Sequence, residues 1–358
     1  MNFQNFVSAA GQRVSFALAG DTYRILVEGL GSIHFRVARE RTEGHEPRST
    51  ARLFVLAKKS TSVPAEAALF RELARCYFEA EPGSSTVELT GDVDGAAKRE
   101  LIRGGWAEEI ALGVSVARAR LYQCPSLWLV PPVREPFPLL YTVSNGKRHP
   151  ARRPPIEGTF YRRHLPQLEA SLSFRTLDFE RDLPTFHRWM NEPRVHTFWE
   201  LAGPLERHRE YLANLAKDPH VCPIVGCFDE QPFGYFEVYW AKEDRLSPYY
   251  DAGDYDRGIH VLVGESRFRG PQRVGAWLSS LVHCLFLDDC RTRSVVAEPR
   301  ADNSKMIRYF ESVGFHERKR FDFPHKRAAL MISHRETFFD QFCPGAVAPT
   351  ETKQEFEQ

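Results

Sequence analysis

The sequence has few of the features that would place a protein at a membrane or on nucleic acid. It contains no apolar run near the roughly 20 residues that cross a bilayer, and its N-terminus, MNFQNFVSAAGQR, lacks a basic region leading into an apolar one. Its 48 basic and 47 acidic residues leave a formal net charge of +1, so the basic excess typical of nucleic-acid or membrane-surface binding is missing. We therefore expect a cytoplasmic protein that binds a small molecule and neither of those partners.

Cysteine is also scarce and lacks a pattern. The seven cysteines are odd in number and scattered along 358 residues, which favours reduced thiols over a disulfide framework. Cys222 and Cys227 have no second ligand pair to complete a zinc site, so no metal is expected. A chain of this length favours one large domain or two modest ones.

Composition divides the chain into four parts. Residues 1–145 alternate short β-like stretches with two helical ones and predict a smaller α/β lobe without a recognisable nucleophile, metal site or phosphate loop. Residues 146–166 are rich in proline and arginine and predict an extended linker. Residues 167–345 hold the motifs described next, and residues 346–358 form a polar tail that is expected to fray.

The most informative stretch begins with a strand pattern. In GIHVLVGE, three β-branched residues at positions 259, 261 and 263 alternate with His260 and Leu262, which predicts a strand that carries one imidazole on its second face. The polar turn ESRFRGPQR follows, and the apolar spacing of VGAWLSSLVHCLFLDD predicts a helix. A second buried strand, SVVAEP, then ends at Pro299.

The turn before the first helix is a candidate diphosphate site. The N–H groups at a helix start attract anions, and Arg267, Arg269 and Arg273 add full charges there. After the second strand, Asp302 or Asn303 is positioned to cap the helix SKMIRYFESVGF, which ends at Gly314.

This order of strand, glycine-bearing turn, helix, strand, capped helix and Gly-Phe is typical of CoA-dependent acyltransferases. Asn303, Phe310 and Gly314-Phe315 resemble the closing motif of the GNAT acetyltransferase superfamily, and Arg269-Gly270 resembles its diphosphate turn. More narrowly, six blocks resemble the branch that acylates hydroxylamines in hydroxamate siderophore assembly, including the aerobactin-type hydroxylysine acetyltransferases. These blocks are RWMNEPRVHTFWE, YFEVYWAKEDR, YDRGIHVLVGE, FRGPQ, EPRADN and FDFPHKRA.

The resemblance implies an α/β fold of GNAT type, with a mixed central sheet and helices on both faces, preceded by the smaller α/β lobe. It leaves open that the first lobe is a degenerate GNAT-like domain and that the protein forms a homodimer. It also implies acetyl-CoA as co-substrate and a set of cofactor-binding residues. These are Leu262, Val263, Arg267, Arg269, Gly270, Gln272, Arg273, Asn303 and Phe310.

Two departures from the superfamily pattern affect the mechanism. Many members have a tyrosine at the position of Phe310 and use its phenol to protonate the leaving thiolate, which phenylalanine cannot do. The spacing from Gly270 to Gly275 also stretches the usual diphosphate loop by one residue.

His260 and Asp302 are the predicted catalytic residues. An imidazole with its ordinary pKa near 6.5 can take the proton released when a hydroxylamine attacks a thioester. A carboxylate at a helix start stays ionised, so Asp302 is a poor acid, and we expect it to orient His260 or the acceptor, with helix capping as the alternative.

A second set of residues is expected to bind the acceptor. Trp199, Tyr239 and Trp240 are candidates for its walls, and alternation places Glu237 and Tyr239 on one face of their strand and Trp240 on the other. An amino acid carries an ammonium and a carboxylate and therefore needs partners of both charges. The candidates are Glu237, Asp256, Arg257, His196 and Lys242.

The favoured hypothesis is transfer of an acetyl group from acetyl-CoA to the hydroxylated side-chain nitrogen of lysine or ornithine, which forms a hydroxamate. No cysteine lies within the six blocks, so direct transfer is expected rather than an acyl-enzyme on Cys284 or Cys290. Two alternatives stay open. One keeps the fold with a succinyl, malonyl or longer acyl group, or an ordinary amine; the other is a CoA-binding scaffold without turnover.

Overall fold

The computed structural model describes residues 4–19, 22–39, 49–131 and 135–341. The described residues divide into two compact units, one built from residues up to 128 together with 163–170, and the other from residues 129–162 and 171–341. The predicted polar tail, 346–358, lies outside the described residues. No helix of the described ranges combines the length and the apolar character that a membrane crossing needs.

The first unit is an eight-stranded sheet in the order β1-β2-β3-β4-β5-β6-β8-β7. Its neighbours are antiparallel except β5 and β6, which run parallel and are joined through the helix α1. Leu69, Phe70 and Leu73 of α1 are fully buried, so this helix supplies much of the core. The elements are β1 Gln4–Val7, β2 Arg13–Ala19, β3 Thr22–Val27, β4 Gly31–Arg39, β5 Ser49–Ser60, α1 Val63–Ala80, β6 Ser84–Gly91, α2 Gly95–Arg103, β7 Glu108–Ile110, β8 Gly113–Ala117 and α3 Arg118–Leu121.

The second sheet has the order β11-β12-β13-β14-β15-β16-β18-β17, with β15 and β16 parallel and the pairs from β12 to β15 antiparallel. Its strands are β11 Thr159–Leu165, β12 Ala170–Thr176, β13 Val221–Phe228, β14 Gln231–Trp240, β15 Arg257–Val263, β16 Ser294–Ala297, β17 His316–Asp322 and β18 Arg327–His334, while β9 Tyr141–Ser144 and β10 Lys147–Pro150 form a separate two-stranded sheet. The helices are α4 Phe179–Met190, α5 Pro193–Trp199, α6 Leu205–Leu215, α7 Pro271–Asp288, α8 Ser304–Ser312 and α9 Arg335–Gln341.

Helices cover both faces of this mixed sheet, as the sequence predicts. On one face Phe186 of α4 packs edge-on against Tyr235 of β14, with ring centroids 4.7 Å apart. On the other face Trp277 of α7 stacks on Phe236, the next residue of the same strand, at 5.0 Å. From Gly234 onward, alternation along β14 therefore assigns odd-numbered side chains to the α4 face and even-numbered ones to the α7 face.

The segment 146–166 has more structure than the predicted linker. Lys147–Pro150 pairs with Tyr141–Ser144 as a hairpin, and residues 159–165 form β11. Arg152 donates two hydrogen bonds to Glu243, at 2.5 and 2.6 Å, and both side chains are buried. Its composition suggested a solvated segment, but this arginine has a buried partner that is distant in the sequence.

A glycine in β15 makes room for an aromatic ring. Gly258 lies opposite Tyr239 of β14, and a Cβ atom on this glycine would lie 2.0 Å from the tyrosine ring. The ring therefore occupies the volume that any other residue at position 258 would need.

We expect Gly258→Ala to lower the free energy of unfolding by about 1–3 kcal/mol, because the methyl group overpacks the buried tyrosine. The matched control is Gly275→Ala in α7, where a Cβ meets nothing within 4 Å and alanine favours the helix by about 0.5–1 kcal/mol. Urea unfolding measures both, and equal effects at the two positions would contradict the packing assignment.

Candidate active site

The sheet opens between β15 and β16. In the described part of the chain β15 pairs with β14 through seven residue pairs, from Gly234–Val263 to Trp240–Arg257. With β16 it pairs only at Arg257–Val295 and Gly258–Val296. The two parallel strands then separate, so the edge of β15 after residue 258 is open to an extended ligand that could add as a further strand.

His260 lies at this opening, between two carboxylates. Its Nδ1 is 2.9 Å from Oε2 of Glu237, which is directly opposite on β14. Its Nε2 is 2.9 Å from Oε1 of Glu298, the residue that follows β16. The imidazole therefore bridges the two sides of the opening, and its side chain keeps 24 % exposure whereas that of Glu298 keeps 1 %.

The two carboxylates determine the charge of this histidine. Burial lowers the pKa of His260, but Glu298 and Glu237 outweigh burial and raise the pKa to about 10. Burial likewise opposes ionisation of both glutamates, yet the imidazole holds the pKa of each below its usual value. At neutral pH His260 is therefore an imidazolium that donates from both ring nitrogens. The prediction from the sequence, a mostly neutral base with an ordinary pKa, differs from this.

Three tyrosines complete the hydrogen bonding of the carboxylates. The hydroxyls of Tyr211 and Tyr235 donate to Oε1 of Glu237, at 2.5 and 2.9 Å, and that of Tyr239 donates to Oε2 of Glu298 at 3.1 Å. Burial first, and then the adjacent carboxylate, raises the pKa of each of these phenols. They are therefore fixed donors that satisfy the buried charges.

The structure brings three of the predicted acceptor residues together at His260. Glu237 and Tyr239 lie on the α4 face of β14, as alternation predicts. Trp199, at the end of α5, contacts the rings of Tyr235 and His260 edge-on, with centroids 5.7 and 6.5 Å away. The rings of Trp199, Tyr235 and Tyr239 together form an aromatic wall beside the imidazole.

Three other predicted acceptor residues lie elsewhere. Trp240 and Arg257 pair on the α7 face, where the guanidinium stacks on the indole at 4.0 Å and donates to Asp288 at 2.9 Å. The carboxylate of Asp256 accepts from the backbone N–H of Gly253 at 3.0 Å, and burial raises its pKa. The strand register separates these residues from His260.

The remaining acceptor candidates have local partners. His196 is exposed, and its Nδ1 accepts from the backbone N–H of Ala202 at 3.3 Å. Lys242 donates from Nζ to the carbonyl of Ala252 at 2.8 Å.

Asp302 and Asn303 occupy the turn before α8. The Asp302 carboxylate is exposed and accepts from Arg300 at 3.1 and 2.8 Å, while Glu237 and Glu298 occupy the ring nitrogens of His260. Asp302 therefore pairs with Arg300 in this structure and not with His260. Oδ1 of Asn303 accepts from the backbone N–H of Met306 at 3.1 Å, so Asn303 caps α8.

The candidate diphosphate turn leads directly into α7. Gly270 has a φ of 116°, which favours glycine, and a Cβ there would meet nothing within 4 Å. Arg269, Gln272 and Arg273 are exposed around this helix start. Arg267 donates to the side chain of Gln231 at 2.7 Å.

The other predicted cofactor residues are largely internal. Leu262 is buried with the α4 core, and Phe310 packs against Phe315 with centroids 4.8 Å apart. The carbonyl of Val263 accepts from Nη1 of Arg194 at 2.7 Å. Arg194 also donates to the carbonyl of Gly264, so it ties α5 to the end of β15.

Glu298, the two tyrosines bound to Glu237, and Arg194 are not among the site residues predicted from the sequence. A signal existed for Glu298, since it is a charged residue directly after four buried strand residues, at the end of a strand parallel to the one that carries the imidazole. No comparable signal marks Tyr211, because its contact depends on how α6 packs.

Residues 178–323 match a family model described as an acetyltransferase (GNAT) domain. The N(6)-hydroxylysine O-acetyltransferase of Escherichia coli is 40 % identical over 227 residues, which cover 63 % of this chain and 72 % of that protein. The chain belongs to the GNAT acyltransferase family. It is therefore an α/β enzyme of acyl transfer, as the sequence motifs indicate, with the GNAT fold in the unit that carries His260.

Two fungal relatives point to the same branch of this family. The hydroxyornithine transacylase of Ajellomyces capsulatus is 43 % identical over 234 residues, which cover 60 % of this chain and 53 % of that protein. A transacylase of Beauveria bassiana named for N(5)-hydroxyornithine and cis-anhydromevalonyl coenzyme A is 48 % identical over 200 residues, with coverage of 55 % and 44 %. The chain thus spans about half the length of these two fungal enzymes.

The charge of His260 predicts how stability depends on pH. Its pKa is about 10 in the folded protein and near 6.5 in an unfolded chain, so its stabilising contribution is complete below pH 6.5 and is lost as pH rises toward 10. Chemical denaturation of the protein between pH 6.5 and 10 should show this decline. His260→Gln should flatten it, whereas His34→Gln on the exposed side of β4 should not; equal slopes in both variants would refute the assignment.

Proposed function

We propose that the protein transfers an acetyl group from acetyl-CoA to the hydroxylated side-chain nitrogen of lysine or ornithine and so produces a hydroxamate for iron chelation. The observation that carries this proposal is the opening between β15 and β16 with His260 and Glu298 at its mouth. The names of three relatives, which act on hydroxylysine or hydroxyornithine, supply the acceptor class. We also propose a cytoplasmic location, which the reduced thiols expected from the scattered cysteines favour.

The acyl-CoA fits the opened sheet and the turn beyond it. Its pantetheine arm carries two amides and can pair with the free edge of β15, where Val261 and Val263 are partly exposed. Its diphosphate would then lie at the start of α7, where Gly270 admits a close approach and Arg269 supplies charge. The thioester carbonyl would lie beside His260.

The reaction moves one proton from nitrogen to sulfur. A bond forms between the acceptor nitrogen and the thioester carbon, the carbon–sulfur bond breaks, the nitrogen loses a proton and the thiolate gains one. The imidazolium of His260 can donate to the departing sulfur, and Glu298 can receive the proton from nitrogen and return it to His260. This route needs no phenol at position 310. It also leaves His260 and Glu298 in their starting protonation states after each turnover.

The aromatic wall suits a weakly basic acceptor. A hydroxylamine is mostly unprotonated at neutral pH, so the enzyme has to position it more than deprotonate it. Trp199, Tyr235 and Tyr239 enclose that side of the imidazole and would exclude water from the reacting atoms.

The first experiment supplies acetyl-CoA with N6-hydroxylysine, N5-hydroxyornithine or unmodified lysine. We expect thiol release with at least one hydroxylated acceptor and formation of a product that gives the coloured ferric hydroxamate. Equal rates with lysine would favour an ordinary amine acceptor. Release only with succinyl-CoA or a longer acyl-CoA would identify another donor, and CoA binding without any turnover would favour a scaffold.

His260→Gln tests the proton-carrying pair. We expect kcat to fall by about 10²- to 10⁴-fold, as for loss of a general acid or base, with little change in CoA affinity. In the parent enzyme, kcat/KM should hold through pH 9 and fall above about pH 10, because the active form is the imidazolium. A rate that instead rises toward pH 10 would mean that His260 acts as the neutral base inferred from the sequence.

Arg269→Gln tests the diphosphate turn. Loss of one charge-assisted contact should raise KM for acetyl-CoA about tenfold, with a smaller effect on kcat. Arg267→Gln is the matched control, since that guanidinium is already bonded to Gln231 and its loss should change KM less. The reverse order of effects would assign the turn to Arg267.

A further inference from the structure

Two cations adjoin the carboxylate that holds His260. Lys326, in the turn before β18, donates from Nζ to the backbone carbonyl of Glu298 at 2.7 Å and lies 3.7 Å from its Oε1. Nη2 of Arg245 lies 3.6 Å from the same Oε1, which also accepts from Nε2 of His260. The reacting end of the proposed site is therefore in direct contact with a second, basic cluster.

A buried phenylalanine organises this cluster. Arg245 and Lys326 lie over the ring of Phe323, at 5.4 and 5.6 Å from its centroid, and the ring of His325 stacks on it at 5.4 Å. Phe323 belongs to the same core cluster as Tyr239. Three basic side chains thus contact one buried ring beside the aromatic wall.

The charges around Glu298 do not balance. The imidazolium of His260 and the cations of Lys326 and Arg245 face two carboxylates, those of Glu237 and Glu298, which leaves one positive charge. This count covers only the groups that pair with Glu298 or with His260; the neighbouring Arg300 pairs instead with two exposed carboxylates, those of Asp302 and Glu200.

Two nearby pKa shifts have burial as their largest cause and the adjacent cations as a further one. Burial lowers the pKa of Lys326, Glu298 opposes this shift, and Arg245 adds to it. Burial also lowers the pKa of His325, and Arg245 and Lys326 lower it further. An anion bound here would counter the part of each shift that the cations contribute.

We infer that Arg245 and Lys326 bind the carboxylate of the acceptor, so that the enzyme selects a hydroxylated amino acid over the hydroxylated diamine that lacks this carboxylate. The inference rests on the proposed function and specifies which hydroxylamines the site takes. The carboxylate is at the opposite end of the acceptor from the reacting nitrogen. The side chain of Arg245 is 52 % exposed, so its guanidinium is accessible to a ligand as well as to Glu298.

A purely structural role would leave part of this arrangement unexplained. The hydrogen bond from Lys326 to the backbone carbonyl of Glu298 stabilises the end of β16. The side chain of Lys326 is 19 % exposed. Arg245 makes one long contact with Glu298 and keeps half of its surface free. A guanidinium with free N–H groups is suited to a planar carboxylate.

The test compares two acceptors that differ by the carboxylate alone, N6-hydroxylysine and N-hydroxycadaverine, both with acetyl-CoA. For the parent enzyme we expect kcat/KM to favour hydroxylysine by about tenfold to a hundredfold, the range for hydrogen bonds to a charged group. Most of that preference should be in KM. In Arg245→Gln the ratio should fall toward one through a higher KM for hydroxylysine, and Lys326→Met should act in the same direction.

Arg181→Gln is the matched control, since this arginine of α4 is 57 % exposed and pairs with Asp182. The ratio of kcat/KM for the two acceptors should be the same in this variant as in the parent enzyme. Equal kcat/KM for both acceptors in the parent enzyme, or an unchanged ratio in Arg245→Gln, would overturn the inference and leave the proposed acyl transfer intact. No turnover with these two acceptors or with N5-hydroxyornithine would refute the proposed function and this inference together.

Discussion

The separation of β16 from β15 after two residue pairs is the constraint on which the site depends. A parallel pair that continued would bond the edge of β15 and leave no place for a thioester. Because the strands diverge, His260 on β15 and Glu298 after β16 face each other across a gap, and the imidazole fills it. The same divergence lets α7 begin at the far end of β15, where an anion is favoured.

The electrostatics follow from burying charge at this gap. Two buried carboxylates would repel one another and would be costly to desolvate, so they are stable there only with a cation between them and donors around them. His260 is that cation, and the hydroxyls of Tyr211, Tyr235 and Tyr239 are the donors. The raised pKa of His260 is thus a consequence of its position between Glu237 and Glu298. The imidazole is protonated as a result, so it can donate a proton rather than accept one.

Local pattern predicted the elements better than it predicted the partners within the site. The two-residue period of β15, the apolar spacing of α7 and the cap at Asn303 are properties of neighbouring residues, and the structure has each of them. Glu298, by contrast, stands out in the sequence only as a charged residue at the end of a strand, and its pairing with His260 becomes evident only when the positions of β14, β15 and β16 are known. The same holds for Asp302, whose place at a helix start suggested a role beside His260, although its side chain bonds to Arg300. Composition misled in segment 146–166, because Arg152 and Glu243 meet across many residues of chain.

The ring of Tyr239 has a consequence for how such an enzyme can diversify. It occupies the space above Gly258 in the strand that would hold the donor, its hydroxyl bonds to Glu298 across the gap, and its other side belongs to the acceptor wall. In the proposed function, one side chain would thus contribute to the surfaces for both substrates. A lineage that altered this wall to admit a new hydroxylamine would disturb the backbone that positions the thioester, so donor and acceptor preferences would be expected to shift together.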